Sequence, residues 1–403
     1  MDVTRFDANS PGHLVPISGS DPTHGPWRHV AFVPQPLPEF SPELTPQTYI
    51  AVANARAALA GLDSTARHLP NPRLLRRPTL QTEAQSTSAL EGTYAPLTKV
   101  LTADEDRLDD IDLREILNYV VMADRAFASI EDGRSLTVGL LGALQHTLVR
   151  GTRSEHTSTG GVRDIQVVVG RRPDAASTEL SVTAARFVPP PPGLDLSARL
   201  QDLLDWISTP RPEVIDPVVS IALAHYQFET LHPFGDGNGR IGRLLVVIHL
   251  VKAGVLSEPT LTISPWFEAR REEYYDRLLR VSTAGDWDAF VRFFATGLEA
   301  SATETQRQML ALVEAQARLH ELVRSSRLRA DTAHSLVDYA VGHPTFTVRA
   351  VERELGVSYP RANGLVGQLI GIGVLKPLDD SDSYRRRFYA PDVLEVLVSA
   401  HSS

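Results

Sequence analysis

The sequence predicts a mainly α-helical chain of two or three domains, on three observations. Apolar residues recur at three- and four-residue spacing through most of the region from 46 to 302. One short segment there, 162–170, reads as extended: Ile165, Val167 and Val169 cluster between Gly160-Gly161 and Gly170-Arg171-Arg172-Pro173. Of 403 residues, 42% are apolar, which is ample for a sizeable core.

Taken in order, roughly the first 45 residues are rich in Pro, Gly, Ser and His without periodicity. Helical patterns cover 46–62, 112–127, 136–150, 196–207, 216–231, 240–253 and 286–302. The exception, 162–170, is expected to be a β-hairpin inside a helical domain. Pro189, Pro190, Pro191 and Pro192 cannot lie in a helix interior and read as a stiff extended spacer. A long polar helix is expected from 303 to about 329. Beyond it, 347–355, Gly356-Val357-Ser358, 359–370 and 371–375 read as helix, turn, helix and strand. Residues 378–389 would form a wing tipped by Asp379-Asp380-Ser381-Asp382. The expected divisions are an N-terminal region 1–105, a helical core 106–302, a linker helix 303–330 and a small winged helix-turn-helix domain 331–403.

The chain has no cysteine, which excludes disulfides, thiolate metal sites and cysteine nucleophiles. A net charge of −9 argues against a general electrostatic grip on nucleic acid. Only Lys99, Lys252 and Lys376 are lysines, so 40 − 3 = 37 basic residues are arginine, a bias read mainly as background. No stretch reaches the roughly 20 apolar residues that span a bilayer, and the first residues lack a basic start and an apolar run. A soluble, cytoplasmic protein without membrane contact is therefore expected.

The densest chemistry lies in His232-Pro233-Phe234-Gly235-Asp236-Gly237-Asn238-Gly239-Arg240-Ile241-Gly242-Arg243. Asp216 and Pro217 suit a helix start, and Pro233 ends that helix, leaving His232 at its end and facing a loop. Gly235, Gly237 and Gly239 let backbone N–H groups turn inward while the next helix points its positive end at the same space, an anion nest suited to phosphate. Arg240 and Arg243, three apart, project from one face and can grip further phosphate oxygens. Asp236 supplies the hard oxygen that Mg²⁺ takes beside nucleotide phosphates. A base, a phosphate cradle, two arginines and a metal carboxylate suit phosphoryl or nucleotidyl transfer. Gly237-x-Gly239-x-x-Gly242 also fits the dinucleotide fingerprint, but that motif requires a preceding strand and here a helix precedes it.

Residues 232–243 resemble the signature of the Fic family, H-P-F-x-[D/E]-G-N-G-R-x-x-R, with every defined position matched. The resemblance implies a small helical bundle that transfers AMP from ATP to a Ser, Thr or Tyr hydroxyl of a target protein, and of itself, releasing pyrophosphate. It implies His232 as general base, Phe234 as the loop's core anchor and Asp236 as the Mg²⁺ ligand. Asn238 would contact the α-phosphate region, Gly237 and Gly239 would give backbone N–H groups to the phosphates, and Arg240 and Arg243 would hold the β- and γ-phosphates. A related branch that phosphorylates carries lysine where Gly239 stands, so glycine favours AMP transfer. Segment 162–170 resembles the family's flap, in which Val162, Arg163, Asp164, Ile165, Gln166 and Val167 would bind the target by strand addition. Thr87-Ser88-Ala89-Leu90-Glu91-Gly92 fits the family's inhibitory pattern [S/T]-x-x-x-E-[G/N], on a helix expected at about 83–92. Glu91 would pair with Arg243 and block the γ-phosphate.

Residues from about Phe32 to Phe294 resemble the larger members, including the run from Phe187 to Pro192 and Arg271-Glu272-Glu273-Tyr274-Tyr275-Asp276. Tyr274 or Tyr275 would pack on the base, with core packing for at least one of them. Many relatives carry asparagine where Arg270 stands. His225 reads as structural. Residues 331–403 hold seven basic and nine acidic residues, so DNA binding through Arg385, Arg386 and Arg387 and protein contact, as in a homodimer, stay open. Two rival functions are removal of AMP by the same site and a winged-helix transcription regulator that senses nucleotide.

Overall fold

The computed structural model describes residues 1–403 except 70–74, 105–108, 157–158, 210, 327, 329–330, 379–385 and 400–403. After a 3₁₀ turn at Val3–Arg5, strands β1 (Gly12–Asp21) and β2 (Gly25–Pro34) form an antiparallel hairpin that pairs Gly12 with Pro34 and Asp21 with Gly25. The composition of residues 1–45, without periodicity, gave no sign of this hairpin. The Asp21 carboxylate accepts the N–H groups of Thr23 (2.8 Å) and His24 (2.9 Å), and Gly25 closes the turn at φ 71°. Pro16, Gly19 and the serines around it dilute the alternation by which a strand is recognised.

The helical body follows as α1 (Pro46–His68), α2 (Arg76–Leu90), α3 (Leu97–Leu101), α4 (Ile111–Glu131) and α5 (Val138–Val149). A small β insertion holds β3 (Val169–Arg171), α6 (Ser181–Ala184) and β4 (Ala185–Phe187). The body is completed by α7 (Leu194–Ser208), α8 (Pro217–Leu231), α9 (Asn238–Lys252), α10 (Ser264–Glu268), α11 (Arg271–Ala284) and α12 (Trp287–Ser325). The mainly α expectation holds. Two details differ. The helices expected at 286–302 and 303–329 are one unbroken helix, α12, along which α1 packs. The hairpin expected within 162–170 is absent: only Val169 and Gly170 of that segment enter a strand, and β3 pairs with β4, matching Val169 to Phe187 and Arg171 to Ala185. Residues 162–168 are held instead by side chains, chiefly Arg163, which sequence alternation does not reveal.

The C-terminal unit comprises α13 (Asp331–Gly342), β5 (Phe346–Thr347), α14 (Val348–Leu355), α15 (Tyr359–Gly371), β6 (Lys376–Pro377), β7 (Arg387–Tyr389) and α16 (Pro391–Ser399). Its strands form an antiparallel sheet in the order β5-β7-β6. The strand expected at 371–375 is shifted, because α15 runs on to Gly371 and pairing starts at Lys376. The expected wing tip, 379–382, and Arg385 lie outside the described residues. This unit meets the body beside α3: Thr345 donates to the Leu101 carbonyl at 3.4 Å, and Arg387 to that of Thr102 at 2.5 Å. Leu90, Leu97 and Leu101 share one apolar cluster with Leu336, Phe346 and Val351.

Helix α2 is unusual for its place. Its sequence, RRPTLQTEAQSTSAL, is mostly polar, yet twelve of its fifteen residues are buried between the body and the C-terminal unit. Buried polar groups need partners. Glu83, 2% exposed, accepts the N–H groups of Ile263 (2.9 Å) and Ser264 (3.0 Å) and the Ser264 hydroxyl. Burial raises its carboxyl, with those donors pulling the other way. Replacing Glu83 by alanine strands these donors and is expected to cost about 3 kcal/mol. Urea unfolding of Glu83→Ala beside wild type checks this; an unchanged midpoint contradicts it.

Candidate active site

Asp216 caps α8 as its sequence suggests, accepting the Val218 N–H at 2.8 Å, with Pro217 in the first turn. The helix ends at His232, whose N–H reaches the Phe228 carbonyl (3.0 Å) and whose φ is 47°. His232 is the single non-glycine residue with positive φ among the described residues. Such a conformation is sparsely populated and persists where its surroundings enforce it. Here Arg163 supplies the force. Its Nε donates to the His232 carbonyl (2.8 Å), its backbone N–H to the Pro233 carbonyl (2.9 Å), and its Nη2 to the Pro190 carbonyl (2.5 Å). Arg163 is 3% exposed, and burial lowers it to about 10. It is therefore a clamp on the histidine turn and not the exposed flap residue expected from sequence. Gln166 also turns inward, donating to the Pro189 carbonyl at 3.0 Å, so the prolines act as acceptors as well as spacers. Asp164 and Ile165 remain exposed, Ile165 at 63%. Val162 and Val167 are half-buried.

The loop after His232 is closed by Asn238. Its Oδ1 accepts the Phe234 N–H (2.9 Å) and its Nδ2 donates to the Phe234 carbonyl (2.8 Å), while Phe234 is fully buried. Expected as a phosphate contact, the Asn238 side chain braces the loop. Gly237, at φ 86°, admits the chain into α9, which starts at Asn238, two residues before the expected 240.

Two guanidiniums, each 1% exposed, stand in the first turns of α9. Arg240 donates to Glu115 at 2.5 Å and to both oxygens of Asp236 at 3.3 Å. Burial alone would raise the Asp236 carboxyl, but Arg240, Ser154 and the Gly237 N–H hold it below its ordinary value. Arg243 donates from Nε to the Thr87 hydroxyl (2.7 Å), and from Nη2 to the Thr87 carbonyl (3.0 Å) and Glu91 Oε1 (2.6 Å). Burial alone would lower Arg243; Glu91, together with Tyr274, Glu229 and Tyr275, outweighs it and holds the guanidinium above its ordinary value. Arg240 Nε and Arg243 Nη1 find no hydrogen-bond partner among the described residues. Glu91 caps the end of α2, which starts at Arg76, earlier than the expected 83, and Gly92 takes φ 97° to leave it. A Cβ on Gly239 would lie 2.0 Å from Glu91 Oε1, so glycine makes the room that Glu91 occupies.

Glu91, Glu229, His232, Gly239 and Tyr275 line one cavity of about 230 Å³, open at its mouth. Val169, Phe187, Leu278 and Leu279 give its other end an apolar surface. Arg186 on β4 pairs with Asp276 and, at 3.6 Å, Glu272 on α11, tying the strands to that helix. Tyr274 is fully buried, its hydroxyl 2.7 Å from His225 Nε2, and belongs to the core. Tyr275 stays at the cavity and donates to the Leu90 carbonyl at 3.3 Å. Arg270 turns away onto Trp266, 4.4 Å from its ring, whereas Arg271 lines the cavity. His225 is structural, as expected.

His232 Nδ1 lies 3.4 Å from the Glu229 carbonyl, which can only accept. Nδ1 therefore carries the hydrogen and Nε2 the free lone pair. Burial lowers His232 to about 4, against the pull of Glu91, so the ring is unprotonated at neutral pH. Sequence reasoning missed Glu83, Glu115, the inward role of Arg163, and Glu229. Glu83 had a signal, since residues 83, 87 and 91 recur every four residues on one helix face.

Burial also lowers His225 to about 3 and His249 to about 4. In the unfolded chain each takes its ordinary value near 6.5 and binds a proton that the fold refuses. Each neutral histidine thus contributes stability that is present above pH 6.5 and lost as pH falls toward 4, at about 1.4 kcal/mol per pH unit. His249 lies away from the cavity, so His249→Gln should flatten the acid limb of a stability-against-pH curve by that amount. An unaltered limb contradicts the assignment.

Residues 49–128 match the family described as Fic/DOC family N-terminal, and residues 135–250 the Fic/DOC family itself. Over 108 residues the chain is 41% identical to the protein adenylyltransferase Fic of Aedes aegypti, covering 27% of this chain and 20% of that one. Over 148 residues it is 33% identical to the protein adenylyltransferase fic-1 of Caenorhabditis elegans, covering 37% of this chain and 25% of that one. The chain thus spans a fifth to a quarter of the length of these curated relatives. A solved Fic family protein from Desulfovibrio desulfuricans shares the fold, with a TM-score of 0.52 and 23% identity over 88% of this chain and 98% of that one.

Proposed function

For a chain that belongs to the Fic/DOC family, we propose the activity of an autoinhibited protein adenylyltransferase, moving AMP from ATP to a hydroxyl of a protein target and of itself. The observation that carries this reading is the buried Arg243 guanidinium, paired at 2.6 Å with a Glu91 that shares one cavity with an unprotonated His232. A buried guanidinium demands an anion. In the inhibited state Glu91 meets that demand, and in the active state the γ-phosphate does.

In this reading the base lies among Phe187, Leu278, Leu279 and Tyr275, and the phosphates run toward α9, whose N-terminal N–H groups face them. His232 Nε2 takes the proton as the target oxygen bonds to the α-phosphorus and the bond to the β-phosphate oxygen breaks, releasing pyrophosphate. Nearby phosphate charge raises the proton affinity of the ring from its present low value. The protein contributes position and charge neutralisation more than covalent chemistry.

Asp236 suits Mg²⁺: Arg240 keeps it ionised, and its side chain is 40% exposed. Among the described residues no group of three or more acidic or histidine side chains could hold a metal, so Asp236 would serve an ion ligated otherwise by phosphate and water. Bound there, Mg²⁺ would neutralise phosphate charge. The target segment is assigned to the edge around Asp164 and Ile165.

The same reading takes the protein to act in the cytoplasm as a homodimer. No helix among the described residues is long and apolar enough to cross a membrane. It takes residues 331–403 as a winged helix on the strength of α13, α14, α15 and the β5-β7-β6 sheet. DNA and protein remain its two candidate ligands.

Glu91→Gly, incubated with α-labelled ATP, is expected to gain self-labelling by at least tenfold over wild type. His232→Ala, alone or in that background, is expected to give none. Labelling that ignores Glu91, or survives loss of His232, contradicts the proposal. Label leaving a pre-modified target faster in wild type than in Glu91→Gly would favour AMP removal instead.

A further inference from the structure

Two glycines on α9 each face a carboxyl. A Cβ on Gly239 would lie 2.0 Å from Glu91 Oε1, and one on Gly242 would lie 2.3 Å from Glu229 Oε1. The two glycines are three residues apart, hence on one face of the helix, and Arg243 follows the second. Glu91 holds the first seat as inhibitor. Glu229, in the second, has no role in the chemistry described above beyond the carbonyl that orients His232.

The Glu229 side chain lines the same cavity as His232, Glu91 and Gly239, one turn before His232 on α8. Its Oε1 is buried and makes no hydrogen bond among the described residues, and Arg243 Nη1 nearby is in the same position. A carboxyl that braces the fold is bonded, as Glu83 is to three donors. Glu229 is built into the cavity with hydrogen-bonding capacity to spare.

We infer that Glu229 is a nucleotide-binding residue, its carboxyl donating, as a neutral acid, to the phosphate that takes the place of Glu91 beside Arg243. This rests on the adenylyl-transfer reading of the site. An ionised carboxylate there would repel phosphate and compete for Arg243; a protonated one donates a hydrogen bond.

The surroundings keep it protonated. Burial pushes Glu229 up to about 8, with Arg243 pulling it down and Glu91 pushing it further up. The other groups facing it do not titrate between pH 7 and 9. On α11, burial holds Tyr274 well above its ordinary value and Tyr275 at about 12. On α8, His225 and His232 sit at about 3 and 4. Arg243 stays charged. Nucleotide affinity is therefore full below the Glu229 value and falls as pH rises through it.

The test is calorimetric titration of ATP into Glu91→Gly protein, with and without Glu229→Gln or Glu229→Ala, from pH 6.5 to 9.5. The parent is expected to bind ATP and to lose roughly tenfold in affinity per pH unit on the alkaline side. Glu229→Gln, a neutral donor of the same shape, should match the parent at pH 7 and lose that alkaline fall. Glu229→Ala should bind about tenfold more weakly at pH 7, the worth of one hydrogen bond to a charged group. An alkaline fall that persists in Glu229→Gln, or an alanine variant as tight as its parent, overturns the assignment. Failure of the parent itself to take ATP overturns the transfer reading and this inference together.

Discussion

A guanidinium brought to 1% exposure has lost most of its hydration, and in a protein interior that cost is met only by an anion with suitable geometry. Arg243 makes this demand where α2, α8, α9 and α11 converge. Much of the surrounding structure follows from it. Gly239 is bare because a Cβ would strike the carboxylate that answers Arg243. Thr87 is turned so that its hydroxyl and carbonyl take two further N–H bonds. The Glu91 carboxylate is half-exposed at the cavity wall, where an incoming anion can displace it without first opening the core.

The same demand explains why α2 is buried yet polar. An apolar helix in its place would be held by area alone and would have no affinity for a site built for phosphate. A helix held by Glu83 at its middle and by Thr87 and Glu91 at its C-terminal end is secured by directional contacts that can be exchanged for those of a ligand. Leu90 and Leu97, in one apolar cluster with the C-terminal unit, add the non-specific part of the attachment. Arg240 is held in a parallel way, with Glu115 bridging it to the Thr93 hydroxyl (2.9 Å), just beyond Glu91. Both buried arginines are thus paired with carboxylates of the chain itself.

Much of this was legible in the sequence wherever local rules govern. Asp216-Pro217, Pro233 and the glycines of 235–239 announced the end of one helix and the start of the next, and the histidine and arginines fell where that geometry put them. The inhibitory role proposed for Glu91 became readable only through resemblance, because Thr87 and Glu91 alone look like any i, i+4 pair on a helix. Partners fixed by tertiary approach left no local trace. Arg163 reads as a flap residue until its three backbone acceptors are seen, Glu115 meets α9 from a helix distant in sequence, and Glu229 is set against α9 by the packing of the two helices. The N-terminal hairpin was missed for another reason: its strands are diluted by proline, glycine and serine, and its strongest signal is the Asp21 turn.

The central claim is that Glu91 occupies the place of a terminal phosphate, and comparing two ligands tests it most directly. ATP has the β- and γ-phosphates that would meet Arg240 and Arg243, whereas AMP lacks both. Calorimetric affinities for each, measured on wild type and on Glu91→Gly at pH 7, separate competition for the phosphate seat from any general opening of the cavity. The account predicts that removing Glu91 tightens ATP by tenfold or more and leaves AMP within about twofold. An equal gain for both ligands, or no gain for ATP, would contradict it.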